Sequence, residues 1–277
     1  MLIAGANIEP FFIYPKQFFK KIYYYLCFSK KSRMILTIDV GNTRIKSAVF
    51  EQNTVLETSV FLKETLEESI EKIFKKFSNI EVLVLSSVGK IDEKGLDFLF
   101  GRIKIHVIDR DQPFPFQNNY ATPNTLGIDR MVLVAGAVLQ FPAQNRLIID
   151  AGTCVTYDYV DQNDVYHGGA ISPGTRLRYE AMHNYTAKLP LLELEDIEKV
   201  VGNSTSNSMH SGVVNGLTFE IDGYINAIKA EKENFIIILT GGDANFLAKR
   251  LKNTIFANSN FLLESLNSLY QYQINND

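Results

Sequence analysis

The sequence lacks what several familiar kinds of site require. Its 277 residues include two cysteines, Cys27 and Cys154, spaced as neither a disulfide framework nor a metal knuckle, which fits a reducing cytoplasm. Four scattered histidines show no metal-ligand spacing and no acyl-transfer triad. There is no basic excess: the formal net charge is -3, which argues against a general nucleic-acid binder. No apolar run is long enough to span a bilayer, so neither nucleic acid nor membrane is expected as a partner. No low-complexity linker divides the chain. What is present is 46% hydrophobic and 21% charged residues, the balance of a globular protein with a buried core. The length suits one large domain or two of ordinary size.

Residues 1–33 read differently from the rest. The aromatic clusters Phe11-Phe12-Ile13-Tyr14 and Tyr23-Tyr24-Tyr25-Leu26 are broken by Lys16, Lys20 and Lys21, without the ordered parts of a secretory signal. Met34 opens the first convincing strand, and residues 1–33 are expected to lie outside the fold. From there the pattern is orderly. Strands are expected at 34–40, 44–50 and 54–60, then a helix over 65–77, a strand at 82–88, a helix, and a strand at 103–109. The second half repeats the order: strands at 147–151, 155–160 and 166–171, helices, a strand at 235–240, a helix, a brief strand near 254 and a final helix. Three strands followed by alternating helix and strand, twice over, imply two α/β domains, 34–145 and 146–277, each a mixed sheet with helices on its faces. The Pro-rich stretch 111–123 is expected to be an irregular loop near their junction.

One phrase occurs in both halves. Asp39-Val40-Gly41-Asn42-Thr43 follows the first strand, and Asp150-Ala151-Gly152-Thr153 follows its counterpart. A hairpin turn carrying Gly, Asn and Thr exposes several backbone N–H groups and a hydroxyl on one side, a nest for phosphate oxygens. The aspartate ending each strand would then sit beside those phosphates and hold a cation. Lys46 can add a point charge or face solvent. Taken singly, each phrase is equally well a Gly-containing turn with an aspartate bonded to its own backbone; two copies in matching positions favour the phosphate reading. A third turn, Thr240-Gly241-Gly242-Asp243-Ala244, follows a buried strand, and its paired glycines would let a flat ring or a phosphate approach the backbone closely.

A separate segment must select the acceptor. Leu126-Gly127-Ile128-Asp129-Arg130 opens a helix whose continuation, 131–139, is apolar almost all round and should be buried. In its first turn Asp129 could accept the proton of a substrate hydroxyl and Arg130 could grip an anionic group. The plainer alternative sets Asp129 against the helix dipole, with Arg130 paired to it or to a neighbouring carboxylate.

The two hairpin nests and the late Gly-Gly turn resemble the actin-like ATPase superfamily, which implies two RNase H-like domains, each a mixed five-stranded sheet flanked by helices, with ATP between the lobes. Together with Leu126 to Arg130 and the run His167-Gly168-Gly169-Ala170-Ile171-Ser172-Pro173-Gly174, the set resembles the type III pantothenate kinases from Met34 to the C-terminus. That resemblance implies a cytoplasmic homodimer that phosphorylates pantothenate with ATP, the first step toward coenzyme A. It implies ATP contacts along Asp39, Val40, Gly41, Asn42, Thr43, Arg44, Ile45 and Lys46, with Mg²⁺ near Asp39, and a further ATP contact at Thr153. It implies a monovalent cation, K⁺ or NH₄⁺, on Asp150. Asp129 matches the proton acceptor within a substrate-binding run Gly127, Ile128, Asp129 and Arg130, and Tyr120 and Thr205 match further pantothenate contacts, Thr205 across the dimer interface. Without the resemblance, Tyr120 reads as a packed loop tyrosine and Thr205 as one of several residues able to cap a helix. Another small-molecule kinase of the superfamily, or a nucleotide-dependent transcriptional accessory factor, are the competing readings.

Overall fold

A computed structural model describes residues 33–41, 44–87, 98–99 and 101–276. The N-terminal extension apart from Arg33, most of the segment in which a helix was expected after the fourth strand, and Asn42 and Thr43 lie outside the described residues.

The first sheet has the order β3-β2-β1-β4-β5, built from β1 (Met34–Val40), β2 (Ile45–Glu51), β3 (Thr54–Phe61), β4 (Ile80–Ser87) and β5 (Lys104–Val107). β1 runs antiparallel to β2 and parallel to β4. The second sheet repeats this arrangement with β7 (Asn145–Ala151), β8 (Cys154–Val160), β9 (Val165–Pro173), β10 (Phe235–Thr240) and β11 (Phe256–Ala257). β7 is antiparallel to β8 and parallel to β10. The central strands β1 and β7 share one burial pattern, buried along their length except at the first residue and at the aspartate one residue before the last. A strand covered on both faces needs such a continuous apolar run, and the polar exception marks where the sheet opens to a cleft.

The second sheet has a sixth strand. β6 (Gln117–Asn118), within the stretch expected to be loop, pairs in parallel with β9, and Gln117 N–H donates to the Asp164 carbonyl at 2.9 Å. Two residues carry no readable periodicity, so nothing in the sequence announces it.

Helix α1 (Leu66–Lys76) buries Leu66, Ile70 and Ile73 against the first sheet. Helix α2 (Ile128–Gln140) is buried from Arg130 to Val138. The C-terminal helix α7 (Phe261–Asn276) places Leu263, Leu266 and Leu269 with Ile35, Phe50 and Val84 of the first sheet and Val132 of α2. The other side of α2 gives Met131, Leu133 and Val138 to a core shared with Ile148 and Ile238 of the second sheet. Apolar residues around the whole circumference of α2 thus fix its N-terminus between the two sheets.

In the second half, α3 (Thr175–Asn184) follows β9, and α6 (Ala244–Ala248) follows β10. Among the helices expected before the strand at 235–240 are α4 (Thr205–His210) and α5 (Gly216–Glu231), joined by a π-helical turn, Ser211–Asn215. Within that turn Ser211 Oγ donates to the Val200 carbonyl at 2.5 Å and Asn215 Nδ2 to the Lys199 carbonyl at 3.2 Å, so the irregular turn docks the preceding loop.

Candidate active site

Alternation along the first hairpin separates core from site. Val40 and Ile45 are buried side chains, whereas Asp39, Gly41, Arg44 and Lys46 line a cavity of about 360 Å³. Of the stretch matched to ATP binding, Val40 and Ile45 therefore have only backbone to offer a ligand. The opposite wall comes from the second copy, Asp150, Gly152 and Thr153, and from the Gly241-Gly242-Asp243 turn. Thr175 and Arg176, at the start of α3, complete that side. The sequence reading did not single out these two. Their signal was the family run ending in Gly174, which stops one residue too early.

Three elements of the second wall are tied together. Gly174 N–H donates to the Thr153 carbonyl at 3.0 Å, Thr175 Oγ1 donates to Asp243 Oδ2 at 2.6 Å, and Asp243 N–H donates to the Ala151 carbonyl at 3.0 Å. The turn after β7, the start of α3 and the turn after β10 therefore move as one cradle.

The cavity is lined by three carboxylates, Asp39, Asp150 and Asp243, and by three cations, Arg44, Lys46 and Arg176. Burial pushes the Asp150 carboxyl up to about 7, with Lys46 opposing and Asp129, Asp39 and Asp158 adding to the rise. Burial likewise raises Asp39 to about 6, against Lys46 and with help from Asp129. Lys46 lies directly across the ladder from Asp39. Two carboxylates raised by burial, with Asp129 adding to both, suit cations with oxygen-only shells. Among the described residues no group of three or more His, Cys, Asp or Glu side chains forms a ready metal cage.

A pH dependence follows. Both folded-state pKa values exceed the unfolded one, so the stability these groups contribute is complete below about pH 4 and lost as pH rises through about 6 for Asp39 and about 7 for Asp150. The thermal midpoint of ligand-free protein is expected to fall between pH 5 and 8, and Asp150→Asn to remove much of that fall, by roughly 2 kcal/mol at pH 8. Parallel profiles for the two proteins would contradict this account.

Asp129 stands in the first turn of α2, close enough to raise the pKa of both Asp39 and Asp150. Its Oδ1 accepts the Arg130 N–H at 2.8 Å and folds back over the N-cap, Gly127, where an added Cβ would lie 2.3 Å from it. Glycine two residues before the aspartate thus gives the carboxylate its place. Ile128 packs its side chain against both hydrophobic cores that flank α2. Arg130 is not paired with Asp129; its guanidinium is bound by Asp158 of β8 and by the Tyr166 hydroxyl of β9, which the sequence reading did not single out. Burial opposes the charge on Arg130, but the bond to Asp158 outweighs it and the guanidinium pKa is raised. The Tyr120 ring lies over that guanidinium, 5.7 Å from its carbon, and stacks on Tyr166 at 6.1 Å.

Thr205 is not brought to this cluster by contacts within one chain. It is exposed at the start of α4, and the cap is its neighbour Ser204, whose Oγ accepts the Asn207 N–H at 3.2 Å. His167 is bonded to Asp161 at 2.8 Å, away from the cavity lining.

Two sheets of matching topology, each carrying an aspartate one residue before the end of its central strand at one shared cleft, define the actin-like ATPase class. A solved structure, a conserved Baf-family protein of Campylobacter jejuni described as a candidate transcriptional activator, covers 87% of this chain and 99% of its own at TM-score 0.55 and 18% identity, which supports the fold alone. The sequence model of the type III pantothenate kinase family matches residues 35–227. The type III pantothenate kinase of Flavobacterium psychrophilum is 68% identical over 240 residues, 87% of this chain and 100% of the relative. That of Flavobacterium johnsoniae is 62% identical over 244 residues, 88% of this chain and 100% of the relative. The chain belongs to the type III pantothenate kinase family.

Proposed function

We propose that this chain transfers the γ-phosphoryl group of ATP to the primary hydroxyl of pantothenate, giving 4′-phosphopantothenate for coenzyme A synthesis. The observation that supports the reading is Asp129, set over Gly127 at a half-buried helix start close enough to Asp39 and Asp150 to raise the pKa of both. Asp39, Gly41, Arg44 and Lys46 on one wall and Thr153 with Gly241 on the other bind the phosphates through backbone N–H groups and point charges. Asp129 accepts the proton of the attacking hydroxyl and orients its oxygen, and the Arg130 and Tyr120 pair positions the acceptor. Mg²⁺ near Asp39 and K⁺ or NH₄⁺ on Asp150 would neutralise charge on the phosphates in transfer.

The working form is a homodimer in the cytoplasm. Phe219 is half exposed on α5, and side chains added at Gly212, Gly216 and Gly223 would meet nothing within the chain. Those glycines therefore do not serve close packing inside one subunit, and this helix face suits a second copy, which would bring its own Thr205 toward the neighbouring site.

The test is ADP release as a function of pantothenate. A kinase turns over the pair, whereas a nucleotide-dependent switch binds ATP and ignores the vitamin. Removing divalent ions with a chelator is expected to abolish turnover. Exchanging K⁺ for a bulky organic cation is expected to lower it while the fold, followed by circular dichroism, persists. Turnover indifferent to both changes would remove the cations from the mechanism.

A further inference from the structure

Arg130 sits one residue from Asp129, yet most of its binding capacity is already engaged inside the protein. Nε donates to Asp158 Oδ1 at 2.9 Å and to Oδ2 at 3.2 Å, and Nη2 lies 2.7 Å from Oδ1. Nη2 also donates to the Tyr166 hydroxyl at 3.0 Å, and that hydroxyl donates to Asp158 Oδ1 at 2.6 Å. The result is a closed ring of three side chains from α2, β8 and β9, in which Arg130 is 6% exposed and Asp158 is fully buried. For stability alone a buried ion pair is a poor choice, since apolar residues of similar volume often serve as well or better.

The geometry points to another use. We propose that Asp158 and Tyr166 are positioning residues of the acceptor site, holding the Arg130 guanidinium in the orientation in which it meets the carboxylate of the acceptor. The inference rests on the reading of this chain as a pantothenate kinase. A guanidinium fixed at two of its nitrogens, with the Tyr120 ring over it, has already lost its rotamer freedom, so an incoming anion does not have to order it. The ring also ties β8 and β9 to the residue that follows Asp129. A displacement of Asp158 would therefore be felt first by Arg130 and the orientation of the acceptor.

The experiment compares two acceptors on the same enzyme preparations: pantothenate, and its neutral analogue in which the carboxylate is replaced by an alcohol. Asp158→Asn keeps the shape and removes the charge; Tyr166→Phe keeps the ion pair and removes the two hydrogen bonds of the hydroxyl. Asp158→Asn is expected to raise KM for pantothenate about tenfold, with KM for ATP within about twofold of wild type. The penalty should largely vanish for the neutral analogue, a difference that general loosening of the fold does not produce. Tyr166→Phe is expected to show the same pattern at about threefold, and it carries the test should the asparagine variant not fold. Equal losses with both acceptors, or an unchanged KM for pantothenate, would overturn the positioning role. Wild-type enzyme that neither binds pantothenate in calorimetry nor phosphorylates it would instead overturn the function on which the inference rests.

Discussion

Asp129→Asn is expected to lower kcat by about 10²–10⁴-fold, with KM for ATP and the thermal midpoint close to wild type. The substitution is mild in structural terms. The asparagine Oδ1 can still accept the Arg130 N–H and lie over Gly127, so the first turn of the helix keeps its local bonds. What is lost is the ability to take a proton from the acceptor hydroxyl and the negative charge that holds that hydroxyl in line. In a loose phosphoryl-transfer transition state the orienting role carries much of the effect, so a polar but neutral replacement does not restore it. A second consequence separates this account from simple damage. The Asp129 charge raises the pKa of both Asp39 and Asp150, so Asp129→Asn is expected to shift the acid-side stability profile toward lower pH. Single-turnover kinetics and a pH series of melting curves check the two effects independently. Full activity in the variant would exclude Asp129 from the chemistry.

The sequence was most legible where periodicity is strong and the chain makes its own local decisions. β1 and β10 fall at the residues expected, and the other main strands differ from expectation by a residue or two, because each is a β-branched run bounded by Gly, Asn or a charged residue. Repetition of the aspartate phrase indicated that the two sheets would match, and they do, strand for strand, around β1 and β7. The site was legible as a set of motifs but not as a set of contacts. Asp158 and Tyr166 alternate with core residues on their strands and carry no local signal that they reach Arg130, because that contact is made by packing α2 across the second sheet. The same holds for Thr175 and Asp243, which are joined only once α3 and the turn after β10 converge. The π-helical turn was hidden for another reason: Ser211–Asn215 (SGVVN) is poor in strong helix formers, which marks weak helix but not a π turn, and its side chains bond to a loop more than ten residues earlier.

Gly241→Ala is expected to be strongly damaging to the nucleotide cradle. Gly241 has φ of +96°, outside the range an L-residue adopts without strain, and a Cβ there would lie 2.4 Å from the Ala151 carbonyl oxygen and 2.4 Å from Asp150 Oδ1. Neither obstacle is a flexible side-chain end. The carbonyl belongs to the last residue of β7 and also accepts the Asp243 N–H, so relief would mean moving the turn that cross-links the second wall. The Asp150 carboxylate, which lines the cavity, would also have to turn away. Backbone strain of about 1–3 kcal/mol adds to the displacement, so a total loss of roughly 3–4 kcal/mol is expected. The neighbouring Gly242 provides the internal comparison. A Cβ at that position meets nothing within 4 Å, so Gly242→Ala is expected to stay within about 0.5 kcal/mol of wild type in stability. Denaturant midpoints and ATP titrations on the two variants then separate backbone constraint from ligand contact. Gly241→Ala should lose stability and nucleotide binding together, because the carboxylate and the phosphate cradle rest on the same turn. Gly242→Ala can weaken binding only by occupying space the ligand needs. Equal stability of the two would show that the turn after β10 yields easily, and the rigid placement of Asp150 against it would then have to come from the strand β7 alone.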